Sequence, residues 1–274
     1  MNRIAETFSR LRAASRRGFI PFISAGDPDL KTTRALIIEL AAAGASIIEL
    51  GVPFSDPVAD GPIIQRASER ALKHHVGVRE VLGLVTDVRH KTDVPIVIFS
   101  YYNPLLQFGL ERLGEEGKKA GIDGVLVTDL VPEEADNLNA ILIKHDLDQI
   151  FLVAPTSTDA RLRMVAERTR GFIYAVSRAG VTGARTDLST EAEKLVGRVR
   201  HFSDLPIAVG FGISGSEQVA EVWRYADAAV IGSAIVAEIE RHSHSPELVA
   251  QVGSFARSLL PRILRPRDAP DGDG

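Results

Sequence analysis

Two carboxylates in the first quarter of the chain are candidates for an acid–base pair. Glu49 lies inside the short apolar run 47–51, where an unpaired carboxylate is costly to remove from water. Asp60 lies near the end of the Pro-, Gly- and Asp-rich segment that follows this run. A carboxyl held away from water has a raised pKa and can both donate and accept a proton. The chemistry these residues suggest is therefore proton transfer to and from a substrate.

Each carboxylate also has an ordinary structural interpretation. Glu49 could pair with an Arg or Lys, and Asp60 could be a turn residue, which is what its spacing alone favours. In a strand, the Glu49 side chain would point to the same side as Ile47 and away from Ile48. In a barrel that side is either the interior or the face that meets the helices, and the sequence does not decide between them.

Three glycine-bearing segments late in the chain suit an anionic ligand. They span 180–183, 210–214 and 231–233, and each follows a predicted strand. Glycine lets the backbone approach a ligand closely, and the N–H groups at a helix N-terminus attract a phosphate group. Any one of them alone is more typical of a turn. Together, at adjacent strand ends of a barrel, they predict a phosphate site.

Aromatic residues at or near predicted strand ends could form the rest of a binding site. Most such residues belong to a core, but four around one mouth could enclose a flat apolar ligand. They are Phe22, Tyr101, Tyr174 and Phe211. Nucleophilic hydrolysis is disfavoured, because Ser177 is not part of a Gly-x-Ser-x-Gly motif.

The elements that must position these residues alternate regularly along the chain. Helical periodicity separates eight short apolar runs, which predicts a parallel sheet with helical crossovers. The runs span 19–24, 46–51, 94–101, 123–128, 149–153, 172–176, 206–210 and 227–231. Eight such units are the number that closes a (β/α)8 TIM barrel, although an open doubly wound sheet is compatible with the same pattern.

The predicted helices end in short junctions, and the longer loops follow the strands. Gly44 and Gly121 are predicted to end helices in the left-handed conformation. The long segments 52–62 and 177–187 lie after strands two and six, on the side where a barrel builds its active site. Residues 1–17 predict an extra N-terminal helix that covers the opposite end of the barrel.

Composition bounds the domain organisation and the class of partner. We predict one barrel domain over 1–261 and a disordered tail over 262–274, because the tail has nothing to bury. The 32 basic and 36 acidic residues give a net charge of −4, which argues against nucleic acid or a membrane surface as partner. Cys is absent and the His residues are scattered, so we predict no metal site. No run approaches the ~20 apolar residues of a membrane span, and we expect a cytoplasmic protein.

Taken together, these segments resemble the family of tryptophan synthase alpha subunits. The specific match is Glu49-Leu-Gly-Val-Pro-Phe-Ser-Asp-Pro-Val-Ala-Asp-Gly-Pro62, and the resemblance extends to about residue 260. Supporting matches lie at 21–22, 26–28, 101–104, 177–183, 210–213 and 232–235. The tail and residues 185–187 depart from the family pattern, which leaves loop closure and the partner interface open.

The resemblance implies a retro-aldol lyase that cleaves indole-3-glycerol phosphate to indole and glyceraldehyde 3-phosphate. Glu49 would be the general acid and base, Asp60 would accept the indole N–H, and Tyr174 would hydrogen-bond near Glu49. The residues implied in substrate binding are Phe22, Tyr101 and Phe211 around the indole, and Thr182, Gly183, Gly212, Gly232 and Ser233 at the phosphate.

The resemblance also implies a partner. The family works with a beta subunit that carries pyridoxal phosphate, in an α2β2 heterotetramer, and no cofactor is expected in this chain. Loops 52–62 and 177–187 would act as lids. Two alternatives stay open, a phosphosugar isomerase or epimerase on the same barrel and a regulatory subunit that contributes little catalysis.

Overall fold

The computed structural model describes residues 2–176, 188–210 and 212–261, and within them parallel strands form a nearly closed barrel inside a ring of helices. The strands are β1 Gly18–Ser24, β2 Ile48–Gly51, β3 Ile96–Ser100, β4 Gly124–Val127, β5 Asp148–Ile150, β6 Leu152–Val153, β7 Ile173–Val176, β8 Ile207–Gly210 and β9 Ala228–Ile231. Their pairing is parallel throughout. The predicted TIM barrel is confirmed, and the open doubly wound sheet is excluded.

The fifth predicted strand is interrupted, and the interruption closes the barrel. Only Phe151 separates β5 from β6, yet β5 pairs with β4 whereas β6 pairs with β7. The sheet order is β5-β4-β3-β2-β1-β9-β8-β7-β6, so its two edges belong to one bent segment of chain. Eight predicted runs thus become nine strands without changing the topology.

The helices form two groups, which the element bounds make clear. They are α1 Arg3–Ala13, α2 Leu30–Ala42, α3 Pro62–Leu72, α4 Val78–Val88, α5 Tyr102–Phe108, α6 Leu110–Ala120, α7 Asp136–Lys144, α8 Asp159–Arg168, α9 Leu188–Arg200, α10 Ser216–Val222, α11 Ser233–Arg241 and α12 Leu248–Leu259, with a 3-10 turn at Pro132–Glu134. Eight of them form the outer ring of crossovers, namely α2, α4, α6, α7, α8, α9, α10 and α12. Across the described ranges, no helix is long and apolar enough to span a bilayer.

The other four helices cover the two ends of the barrel. Helices α3, α5 and α11 are the next elements after β2, β3 and β9, so they lie at the carboxyl ends of the strands. The sequence does not predict α5, because its seven residues are too few to show a helical period. Helix α1 covers the opposite end, where the Phe8 ring lies 5.8 Å from that of Phe172. The predicted N-terminal helix is therefore confirmed.

The junctions between helices and strands follow the predicted chemistry. Gly44 and Gly121 have φ of 104° and 91°, so both end their helices in the region that glycine favours. Asp123, just before β4, accepts the backbone N–H of Ile96 at 2.8 Å, and Asp227, just before β9, accepts that of Ile207 at 2.9 Å. These contacts fix the amino ends of the strands. The carboxyl ends, at the other end of the barrel, are available for a binding site.

The barrel interior is apolar at the level of the strands. Alternate residues of each strand point inward, and they meet the underside of α1. The inward cluster contains Ile4, Phe8, Ile20, Ile47, Val97, Leu126, Ile150, Phe172, Tyr174, Ala208, Ala228 and Val230. Ile48 and Leu50 belong instead to the layer between the strands and the outer helices. Glu49 shares the side of Ile47 and therefore faces the interior.

Candidate active site

A cavity of about 550 Å³ opens at the carboxyl ends of the strands. Its lining is largely apolar, with a few polar groups from the loops and helices that follow the strands. The lining residues are Phe22, Glu49, Ala59, Asp60, Gly61, Ile63, Ile64, Phe99, Thr128, Leu152, Tyr174, Val176, Gly212, Ile213, Ser214, Val230, Gly232, Ser233, Ala234 and Ala237. Among the described residues, the ionisable groups of this lining are Glu49, Asp60 and Tyr174.

Glu49 lies at the floor of this cavity and is 1% exposed. Its neighbours across the sheet are Phe22 on β1 and Val97 on β3. Neither carboxyl oxygen has a hydrogen-bond partner among the described residues. Desolvation therefore raises the pKa of Glu49 from its ordinary 4.5 to about 8. At neutral pH the group holds its proton and can act first as an acid.

The burial of Glu49 should make the stability of the protein depend on pH. Because its pKa is about 8 in the folded chain and 4.5 ordinarily, folding takes up a proton between these values. The free energy of unfolding contributed by this group is therefore lost as the pH rises from about 4.5 to about 8. Comparing Glu49→Gln with the native chain by urea unfolding across this window should show a difference that changes by roughly a few kcal/mol. A difference that does not vary with pH would contradict the inferred protonation.

Asp60 is half-buried at the cavity, on the loop between β2 and α3. Desolvation raises its pKa to about 6, and the nearby Tyr101 hydroxyl opposes the rise. The pKa of Tyr101 is itself raised, first by burial and then by the charge of Asp60. At neutral pH, Asp60 is mostly ionised and Glu49 is mostly protonated. The two carboxyls of the cavity are thus set to different protonation states, as an acid and a charged acceptor require.

Tyr101 supports the loop that carries Asp60 and does not line the cavity itself. Its hydroxyl accepts the backbone N–H of Ala59 at 2.9 Å, and its ring lies 5.2 Å from that of Phe54. The Asp60 carbonyl in turn accepts a hydrogen bond from Gln65 at 2.8 Å. The sequence places Tyr101 around a flat ligand, whereas the structure places it behind Asp60.

Tyr174 lines the cavity beside Glu49 and is 5% exposed. Burial raises its pKa well above the ordinary value, and the charge of Glu49 adds to the effect. Its hydroxyl crosses Gly210 on the neighbouring strand so closely that a Cβ there would lie 2.1 Å from the oxygen. Gly210 therefore makes room for a phenol that stays protonated next to the acid group.

The apolar part of the cavity is built around two rings in edge-to-face contact. The centroids of Phe22 and Phe99 are 5.1 Å apart, at an interplanar angle of 73°. A Cβ on Gly51 would lie 2.6 Å from the Phe22 ring, so this glycine makes space for it. Phe99 and Leu152 were missed in the sequence, although both lie on the inward side of their strands. Phe211 lies outside the described residues.

The polar end of the cavity is formed by backbone and hydroxyl groups at strand ends. Gly212 has a φ of 78°, which favours glycine, and Gly232 and Ser233 begin α11. The first bonds of that helix run from the N–H groups of Ile235 and Val236 to the carbonyl of Gly232. The N–H groups before them have no partner within the helix, and this N-terminal end of α11 lines the cavity. Ser214 also lines this end and was not singled out from the sequence. Thr182 and Gly183 lie outside the described residues.

Comparisons with known proteins agree with this architecture over nearly the whole chain. The family model described as tryptophan synthase alpha chain matches residues 8–259. Curated proteins of that name from Geobacter sulfurreducens and Solibacter usitatus are 49% and 48% identical to it. The first match covers 96% of this chain and 99% of the relative, and the second covers 94% and 97%.

Solved structures give the same result. Tryptophan synthase subunit alpha from Legionella pneumophila superposes with a TM-score of 0.88 at 35% identity, covering 94% of this chain and 97% of that one. A chain from the ligand-free tryptophan synthase of M. tuberculosis gives 0.84 at 38% identity, covering 94% and 99%. The chain therefore belongs to the tryptophan synthase alpha chain family, and it is a lyase of tryptophan biosynthesis that cleaves indole-3-glycerol phosphate.

Proposed function

We propose that Glu49 and Asp60 carry the cleavage of indole-3-glycerol phosphate to indole and glyceraldehyde 3-phosphate. The observation that supports this most directly is a buried carboxyl at the floor of an apolar cavity, with no hydrogen-bond partner among the described residues. A carboxyl kept there without a partner is costly to the fold. Proton exchange with a substrate would explain why a carboxyl is kept at this position.

The reaction needs two proton transfers at neighbouring atoms of the substrate. Protonation of indole C3 makes the ring a leaving group, and the hydroxyl on the adjacent chain carbon must then lose its proton. As the aldehyde C=O forms, the electrons of the breaking C–C bond return to the indole ring. Glu49 donates the first proton and its carboxylate accepts the second, so the group ends protonated as it began.

Asp60 stabilises the charge that develops between these two transfers. Protonation at C3 places positive charge on the ring nitrogen, and an ionised carboxylate that accepts the N–H hydrogen bond lowers the energy of that state. Its pKa of about 6 keeps Asp60 ionised while Glu49 is protonated. Tyr101, behind the loop, positions Asp60, and the Tyr174 hydroxyl is available to hydrogen-bond at the Glu49 end.

The remaining lining residues hold the two ends of the substrate. Phe22, Phe99 and Leu152 supply apolar surface for the flat indole. Gly212, Gly232 and Ser233, with the N-terminal end of α11, supply backbone N–H and hydroxyl groups for the phosphate. We propose that Thr182, Gly183 and Phe211, outside the described residues, complete these two ends. A phosphosugar isomerase would use the phosphate end but has no need of the apolar end.

The family implies a tryptophan synthase beta chain as partner, and we propose that the two form a cytoplasmic α2β2 heterotetramer with pyridoxal phosphate on the beta chain. Large apolar side chains are exposed in loops and in helix α5 at the carboxyl ends of the strands, which we call the cavity end of the barrel. They support a docking surface there. Val58 is 87% exposed, Leu106 is 50% exposed and Val131 is 40% exposed. Such exposure suits a surface that another chain covers.

An assay of the purified chain tests the proposed function. Incubation with indole-3-glycerol phosphate should release indole and glyceraldehyde 3-phosphate in equal amounts, with or without added beta chain. Indole can be followed by chromatography and the aldehyde by a coupled dehydrogenase. Failure to release indole under both conditions would reject the catalytic assignment and favour a regulatory subunit.

A further inference from the structure

Four charged side chains join three segments of the cavity end, and we call them the Arg70 cluster. Arg70 on α3 binds both carboxylate oxygens of Asp27, in the loop after β1, at 2.7 and 2.9 Å. Its remaining terminal nitrogen donates to Glu240 on α11 at 2.7 Å. Arg66, one turn earlier on α3, binds both oxygens of Glu240 at 2.7 Å. One guanidinium therefore bridges the loop after β1 and a second helix.

The ion pair of Arg70 with Asp27 is more buried than the ion pair of Arg66 with Glu240. The Asp27 side chain is fully buried and Arg70 is 23% exposed, whereas Arg66 is 48% exposed. Removing Arg70 would leave a buried carboxylate without its partner, which is far more disruptive than losing an exposed pair. Hydrogen bonds from Arg66 and Arg70 lower the pKa of Glu240 to about 2, so its charge is present at any working pH. Burial raises the pKa of Asp27, and its hydrogen bonds with Arg70 oppose that rise.

The helices that the cluster joins form one side of the cavity, which we call the α3–α11 wall. Ile63 and Ile64 line the cavity from α3, and Ala234 and Ala237 line it from α11. Both helices lie outside the ring of crossovers, so no adjoining strand fixes both of their ends. Their apolar contact consists of Ala67 and Val236 packed on Phe22, with Ile63 and Ile64 partly buried beside them.

The two helices also begin at opposite ends of the substrate. Asp60 lies two residues before Pro62, where α3 begins, and Gly232 lies directly before α11. Any shift of one helix relative to the other changes the distance from the indole end of the site to the phosphate end. The Arg70 cluster opposes that shift.

We propose that Arg70 is a positioning residue that fixes α3 against α11 and thereby sets the spacing between the indole and phosphate ends of the site. This inference rests on the proposed function. The hydrogen-bond partners of Arg70 are Asp27 and Glu240, neither of which lines the cavity, so Arg70 acts through the two helices. A substrate that must reach both ends at once senses the spacing, whereas a ligand that occupies one end does not.

Binding of a linked ligand and of its separate halves tests the proposal. In Arg70→Met, indole-3-propanol phosphate should bind about tenfold more weakly or worse, and kcat/KM should fall about 10²-fold, because small misplacements are costly. Indole and glycerol 3-phosphate, titrated separately by NMR, should keep their native Kd values. Arg70→Lys should recover part of the loss, since an ammonium cannot make the full set of fork contacts.

The control variant loses an ion pair elsewhere on the barrel. Arg257→Met removes another 2.7 Å ion pair, from α12 to Glu39 on α2, and should change none of these values. If Arg70→Met does not fold, Glu240→Gln keeps the contact with Asp27 and should show the same pattern at smaller size. Native affinity for the linked ligand in folded Arg70 and Glu240 variants would overturn the proposal, as would equal weakening of the halves. If the native chain itself does not bind the linked ligand, the proposed function fails instead.

Discussion

Glu49→Gln should lower kcat for indole release by about 10³-fold or more, because one side chain supplies both proton transfers. The substitution suits the site, since glutamine has the shape of the neutral carboxyl that Glu49 presents at neutral pH. Binding should therefore survive. We expect indole-3-propanol phosphate to keep its native Kd in isothermal titration, while single-turnover assays show almost no product.

The matched control for this variant is Glu39→Gln. Glu39 lies on α2 and pairs with Arg257 on the outer surface, far from the lining of the cavity. The Glu39→Gln variant should cleave the substrate at the native rate. Turnover by Glu49→Gln within tenfold of the native chain would show that another group moves the protons, and Tyr174 would be the first to test.

Asp60→Asn should lower kcat by about 10²- to 10³-fold, the range observed when one preorganised stabilising group is removed. Asparagine can still accept the indole N–H but carries no charge to stabilise the cationic ring. Ground-state binding should change little. The measurement is kcat and KM for indole-3-glycerol phosphate beside the control Asp56→Asn, an exposed residue of the same loop.

The pH profile distinguishes this role from a general loss of loop structure. In the native chain, kcat/KM should fall below about pH 6 as Asp60 takes up a proton, and above about pH 8 as Glu49 loses its own. Asp60→Asn should abolish the acid limb and keep the alkaline limb. An acid limb that persists in this variant would remove Asp60 from the mechanism.

Local sequence patterns predicted much of the architecture. The alternation of apolar runs with helical segments predicted the barrel, because each unit must bury one face and the chain offers eight such units. The glycines at 44 and 121 marked helix ends, since a left-handed residue is needed there. The bend at Phe151 and the short helix α5 had no such signal. Both depend on how neighbouring strands and loops meet.

By itself the sequence determined that Glu49 lies in a strand, on the side of Ile47, and that glycine-bearing segments follow the late strands. Only the tertiary structure decided that this side is the interior, because a two-residue period defines two faces without saying which is enclosed. It also decided that Asp60 lines the cavity and that Tyr101 stands behind it. The Arg70 cluster was beyond any local pattern, since Arg70 and Glu240 are 170 positions apart and meet only when the barrel closes.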